Sequence, residues 1–86
     1  MRGKEVTFEL PNGGRTRADI VTESKGDLNI VESKNGPNAR LTPRQTQAQQ
    51  AVQQGQQLIP RGGNAQAAGL TPGTPVNINQ YQVEQH

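Results

Sequence analysis

The chain has no cysteine and no tryptophan, a single histidine, and only two aromatic side chains, Phe8 and Tyr81. Without cysteine there is no disulfide framework and no thiolate zinc site. With one histidine, zinc chemistry and Ser-His-Asp catalysis lack their ligands and their base. That histidine, His86, is the last residue, where fraying is expected, and it is assigned no catalytic role. No apolar run approaches membrane-spanning length and no signal peptide opens the chain, so a soluble protein without a membrane partner is expected. Hydrophobic residues fill 29% of the 86 positions, enough for one small domain with a thin core, or one that borrows surface from a partner chain or from upstream sequence. Met1-Arg2-Gly3-Lys4 fits a true terminus or an added Met on an excised domain.

What is present begins with β patterning. Val6, Phe8 and Leu10 alternate with Thr7 and Glu9, the period of a half-buried strand. Pro11-Asn12-Gly13-Gly14 supplies a tight reversal, and residues 15–23 resume the strand pattern with Arg17, Asp19 and Val21 on one face. Ser24-Lys25-Gly26-Asp27 is a second turn. A third strand over 28–34 then places Leu28, Ile30, Glu32 and Lys34 on one face. Asn35-Gly36-Pro37-Asn38 breaks the sheet. Thr42 before Pro43 is a helix start, a hydroxyl N-cap followed by proline at the first helical position.

The helix is expected within 42–58, on a stripe of Leu41, Ala48, Val52 and Ile59 that also carries Gln45 and Gly55. Eight of the thirteen residues in 45–57 are glutamine, so a disordered low-complexity tract is the competing reading; the cap and the stripe favour the helix. Residues 64–69 allow a short helical turn, and Val76, Ile78, Tyr81 and Val83 predict a last strand over 76–84 with a phase slip near Gln80. The fold class is α+β: an antiparallel three-stranded meander over 6–34, a helix and a final strand, order β-β-β-α-β, in one domain over 1–86.

Asp19 and the triplet Glu32-Ser33-Lys34 fall on consecutive strands, with twelve residues and a turn between them. Phosphodiester hydrolysis needs an activated water, charge neutralisation at phosphorus and help for the leaving oxygen. Mg2+ or Mn2+ on one or two carboxylates supplies much of this. Asp19 would be the central ligand and Glu32 the second, with the Ser33 backbone carbonyl as a third oxygen. Lys34 would orient the attacking water or stabilise charge on the phosphate; acting as base would require a strongly lowered amine pKa. Gln45, in the first helical turn, would point at the same cleft, where backbone N–H groups favour phosphate. The net charge of +2 is mild, but Arg15, Arg17, Arg40 and Arg44 bracket the site in sequence and would attract a nucleic-acid backbone. The same arginines equally serve to solubilise a strand and a helix end. Glu9 is a further acidic candidate, though an exposed strand residue is the plainer reading, and Glu23 and Asp27 belong to a solvated turn.

Together, Asp19, Glu32-Ser33-Lys34 and Leu41-Thr42-Pro43-Arg44-Gln45 resemble the PD-(D/E)XK, or restriction-endonuclease-like, nuclease superfamily over residues 17–45. Ala18 stands where proline often precedes the aspartate, and Ser33 where a hydrophobic residue is frequent. The resemblance implies dependence on Mg2+ or Mn2+, with Asp19 and Glu32 as ligands, Lys34 catalytic and Gln45 supporting the phosphate. It implies DNA as the favoured substrate, with RNA, including tRNA, left open. It also implies a helix before the first strand; almost nothing precedes Val6, so upstream sequence or a second copy in a homodimer is expected to cover the sheet.

Ile59-Pro60-Arg61-Gly62-Gly63-Asn64-Ala65, with Ala68-Gly69-Leu70 and Pro72-Gly73, resembles tails of toxin domains of bacterial polymorphic effectors, both Rhs-type and contact-dependent. That likeness implies a secreted or delivered effector acting in the target-cell cytoplasm and restrained in its producer by an immunity protein; without it, a cytoplasmic location is expected. The alternatives are a non-catalytic nucleic-acid- or protein-binding module with the same sheet, and a largely disordered Gln-rich interaction segment.

Overall fold

Two turns with left-handed backbone fold the first third of the chain into consecutive hairpins. The computed structural model describes residues 3–36 and 38–85, so the expectations for Pro37 and His86 lie outside the described residues. Strand β1 (Gly3–Glu9) and β2 (Arg15–Ser24) are joined by a turn in which Gly13 N donates to the Leu10 carbonyl at 2.9 Å and Asn12 Oδ1 accepts from Gly14 N at 2.8 Å. Strand β3 (Asp27–Lys34) follows a two-residue reversal, Lys25 (φ 53°) and Gly26 (φ 87°). Two successive positive φ values give a turn whose twist matches that of the strands it joins.

Helix α1 (Pro43–Gln53) starts at the expected cap: Thr42 Oγ1 accepts from Gln45 N at 3.1 Å and Gln45 Oε1 accepts from Thr42 N at 2.9 Å, a reciprocal capping box. It stops earlier than the expected 58. Gly55, at φ 77°, donates to the Val52 carbonyl, and Gln56 N donates to the Ala51 carbonyl at 2.9 Å, which closes the last turn in a Schellman motif. Gly55 therefore ends the helix rather than sharing its stripe, and Leu41 and Ile59 lie outside it. The helix buries Gln45, Ala48, Ala51 and Val52.

Two elements outside the expected order come next: β4 (Ile59–Arg61), which is unexpected, and α2 (Gly62–Ala67), a helix in place of the short helical turn expected over 64–69. The last strand, β5 (Ile78–Gln85), starts two residues later than expected, because Val76 makes only an isolated bridge to Leu58. Observed order is thus β-β-β-α-β-α-β, an α+β fold with a mixed five-stranded sheet ordered β4-β1-β2-β3-β5. All neighbours are antiparallel except β3 and β5, whose parallel pairing requires the long crossover through α1, β4 and α2. The β3–β5 register passes from Leu28↔Ile78 to Asn29↔Gln80, leaving Asn79 as the extra residue, next to the expected slip at Gln80.

One apolar cluster joins the sheet to both helices: Val6, Phe8, Leu10, Ala18, Val21, Ile30 and Ile78 from strands and turns, with Ala48, Ala51, Val52, Ala65 and Ala68 from helices or their caps. Small alanine faces let the helices lie close to a sheet with few large side chains. Phe8 is fully buried and is the only phenylalanine, so truncating it to alanine is expected to cost about 3–5 kcal/mol.

Candidate functional site

The candidate residues gather where β2 and β3 part. On the β1 side, Lys4 pairs with Ile20 and Val6 with Ala18, leaving Glu5 and Asp19 unpaired between them. Glu5 has φ 53°, uncommon for a residue other than glycine, and its carbonyl accepts from Asn64 Nδ2 of α2 at 3.1 Å. The irregularity changes the facing of both strands. Ala18 and Val21, three apart, are both buried, while Arg17 is exposed, which strict alternation forbids. The expected common face for Arg17, Asp19 and Val21 is therefore corrected: the alternation breaks at Asp19.

On the β3 side the ladder ends at Ile20↔Val31. One step beyond, side chains replace backbone pairing. Ser33 N donates to Asp19 Oδ2 at 2.9 Å, and Asp19 N donates to Glu32 Oε1 at 3.3 Å. Each carboxylate is fastened to the backbone of the other's strand, so the two acids are held side by side across the gap.

Glu32 is fully buried, and its Oε2 accepts from Gln45 Nε2 at 2.6 Å. The orientation of that amide follows from the helix cap. Gln45 Oε1 is occupied by Thr42 N, so the NH2 end must point to the sheet. The Thr42-Pro43-Arg44-Gln45 start thus both begins α1 and delivers a donor to a buried carboxylate.

Burial pushes the Glu32 carboxyl up to about 7, and the Asp19 carboxylate adds to the rise; the Asp19 N–H, the Lys34 ammonium and the Tyr81 hydroxyl act in the opposite direction. Among the described residues neither Asp19 nor Glu32 has an ion-pair partner within salt-bridge distance. A pair of adjacent carboxylates, one buried and under-compensated, fits a divalent cation, which would stabilise both in their charged forms. No group of three or more His, Cys, Asp or Glu side chains occurs among the described residues. Two carboxylates with water and substrate oxygens suit Mg2+ or Mn2+ better than an all-protein cage.

The other candidates are placed as follows. Lys34 is half-buried, two residues beyond Glu32, and near enough to act on its charge. Ser33 is exposed, with its N–H on Asp19. Arg17 and Arg40 are exposed. Arg15 sits 3.9 Å from Glu9, and Arg61 approaches the same carboxylate oxygen at 3.1 Å, so Glu9 is engaged on another part of the sheet rather than at the acidic pair. Arg44 donates to Gln47 Oε1 at 3.1 Å, as does Asn12, and a Cβ at position 14 would collide with its guanidinium. Gln47, through Asn12, ties α1 to the first turn, and the Arg44 guanidinium lies over Gly14 beside it.

Tyr81 is the site neighbour that sequence reasoning placed only as a strand residue. It faces Ile30 across the parallel β3–β5 pair; among the described residues its buried hydroxyl meets hydrogen-bond geometry with no partner, although it lies near enough to Glu32 to act on that carboxyl as a donor. Its single signal in the sequence was the rarity of aromatics. Two surface grooves, of about 380 and 510 Å³, flank the C-terminal half of α1 and border neither Asp19 nor Glu32. Among the described residues no helix is long and apolar enough to cross a membrane. Comparison of the chain with protein-family models, with curated proteins and with solved structures gives no match.

Proposed function

We propose that the protein is a metal-dependent nuclease built on a minimal restriction-endonuclease-like core. The observation that carries this reading is the buried Glu32 carboxylate held beside Asp19 and oriented by the Gln45 amide. Asp19 and Glu32 would hold Mg2+ or Mn2+, with the Ser33 carbonyl as a further oxygen. A cation bound there supplies an acidified water and neutralises charge on the scissile phosphate.

The chain's own groups do the remaining work. Gln45 and the Asp19 N–H fix the Glu32 oxygens, and Ser33 N fixes Asp19. Lys34, on the same strand face as Glu32, orients the attacking water and stabilises charge growing on the phosphate oxygens. Arg17 and Arg40, both exposed, attract the nucleic-acid backbone, assisted by Arg15 and Arg44 where their protein partners release them. DNA is the favoured substrate, with RNA as the second arm of any assay. In the wider reading the domain is an antagonistic toxin delivered to the cytoplasm of a target cell and blocked by a cognate immunity protein. A second copy of the chain would pack on the sheet face that carries half-buried Ile20 opposite Val31.

The test is cleavage of DNA and RNA with Mg2+, with EDTA, and with the Asp19→Ala and Lys34→Ala variants. Cleavage that needs Mg2+ and both residues supports the reading. Full cleavage by both variants removes Asp19 and Lys34 from the chemistry and overturns the reading; folded wild-type protein that binds nucleic acid without cutting it replaces it with the non-catalytic module.

A further inference from the structure

The Tyr81 hydroxyl is buried without a partner, on the strand that runs parallel to the one bearing Glu32. A buried hydroxyl left unpaired loses its hydrogen bonds to water without replacement, and such groups in folded proteins call for an explanation. Phenylalanine would fill the same space at no such cost. The ring itself packs on the core, next to Ile30.

The surroundings suggest what the hydroxyl is for. Tyr81 pairs with Ile30, two residues from Glu32 on the same strand, and Glu32 acts on the hydroxyl more strongly than Asp19 does. Glu32 Oε2 receives a short bond from Gln45, while Oε1 receives only a long one, 3.3 Å, from Asp19 N. An ionised carboxylate has about four acceptor positions, so Glu32 retains capacity for another donor. Tyr81 is the buried donor that lies beside it, with no other hydrogen-bond partner among the described residues.

Resting on the nuclease reading above, we propose that Tyr81 is a positioning residue that donates its hydroxyl hydrogen to the Glu32 carboxylate when Asp19 and Glu32 hold a divalent cation. Gln45 and Tyr81 then hold Glu32 from two sides, one from α1 and one from β5. Without an ion the hydroxyl stops short of hydrogen-bond geometry although it already acts on the Glu32 carboxyl, and a small shift of the carboxylate onto the ion would close that contact. Groups of this kind, one step removed from a metal, typically change affinity 10- to 100-fold, by order of magnitude.

The experiment is Mn2+ titration of wild-type protein and Tyr81→Phe, followed by electron paramagnetic resonance, with melting temperature recorded for each. The expected result is Mn2+ affinity at least about 10-fold weaker in Tyr81→Phe, with a melting temperature equal to or above that of wild type. Unchanged Mn2+ affinity in Tyr81→Phe overturns the role of Tyr81 and leaves the nuclease reading in place. Wild-type protein that binds no Mn2+ overturns both. Because Tyr81 is the sole tyrosine, 3-fluorotyrosine labels it alone and serves if Tyr81→Phe fails to fold. A fluorine resonance that moves as Mg2+ saturates the site, and is static in Asp19→Asn, supports the proposal; one indifferent to Mg2+ in protein that binds Mn2+ overturns it.

Discussion

The Gln45 side-chain amide lies 2.6 Å from the buried Glu32 carboxylate while its other end closes the cap of α1 on Thr42 N at 2.9 Å. Helix start and site geometry are therefore one structure. The residue that stabilises the first turn also decides which way a buried acid points, so changes at either place should be felt at both.

Thr42→Ala removes one capping acceptor and is expected to cost about 1 kcal/mol. Gln45→Ala removes the reciprocal cap and leaves Glu32 Oε2 without its donor, so a loss on the order of 2–3 kcal/mol is expected. Urea denaturation of both variants measures the difference. Equal costs would mean that the amide–carboxylate bond contributes nothing.

Glu32 gives the stability of the metal-free protein a pH dependence of known sign. Its folded pKa, about 7, lies above the ordinary value of 4.5, so the folded state holds the proton more tightly. The stabilisation is complete below pH 4.5 and is lost as pH rises through about 7, a change on the order of 3 kcal/mol. Thermal melts in EDTA across this range should show a falling melting temperature. Asp19→Asn removes the second cause of the shift and should flatten the fall. A divalent cation should stabilise the protein more at about pH 8 than at about pH 5, since only the ionised pair binds it well.

Lys34→Gln should reduce cleavage by roughly 100-fold or more, with stability changed by less than about 1 kcal/mol, because a half-buried lysine with no salt bridge among the described residues contributes little to the fold. Lys34→Arg keeps the charge but not its compact shape and should recover only part of the rate. Single-turnover kinetics distinguish these effects from weaker substrate binding. Wild-type rates in Lys34→Gln would remove Lys34 from the mechanism.

Glu5 occupies a left-handed conformation opposite Asp19. Glu5→Gly relieves that backbone strain and should stabilise the protein by up to about 1 kcal/mol. Glu5→Val adds a branched side chain to the same conformation and should destabilise it. If both variants were neutral by denaturation, the strand irregularity would not be the strained feature it is taken to be.

The first three strands were legible because period-two spacing around Phe8 and Ile30 and two glycine-containing turns act locally. The α1 start was legible for the same reason, since Thr42-Pro43 is a short-range signal. Later elements were less so. Ile59-Pro60-Arg61 is too short for its alternation to be read, and Gly62-Gly63 reads as a turn although it opens α2. The parallel pairing of β5 with β3 is a tertiary choice that no local pattern encodes. At the site, the pairing of Asp19 with the triplet and the direction of Gln45 could be anticipated from spacing. The way Asp19 gets there could not, because it depends on an irregularity at Glu5 that is braced by Asn64, 59 residues away in sequence. Tyr81 was hidden for a similar reason: its neighbour Glu32 is reached across the sheet, not along the chain.

The most direct measurement of the central claim is an anomalous difference map from crystals grown with Mn2+. The account predicts one strong peak between the Asp19 and Glu32 carboxylates, present in wild type and lost in Asp19→Ala. A well-diffracting crystal with no peak there, or with Mn2+ held only elsewhere, would contradict it.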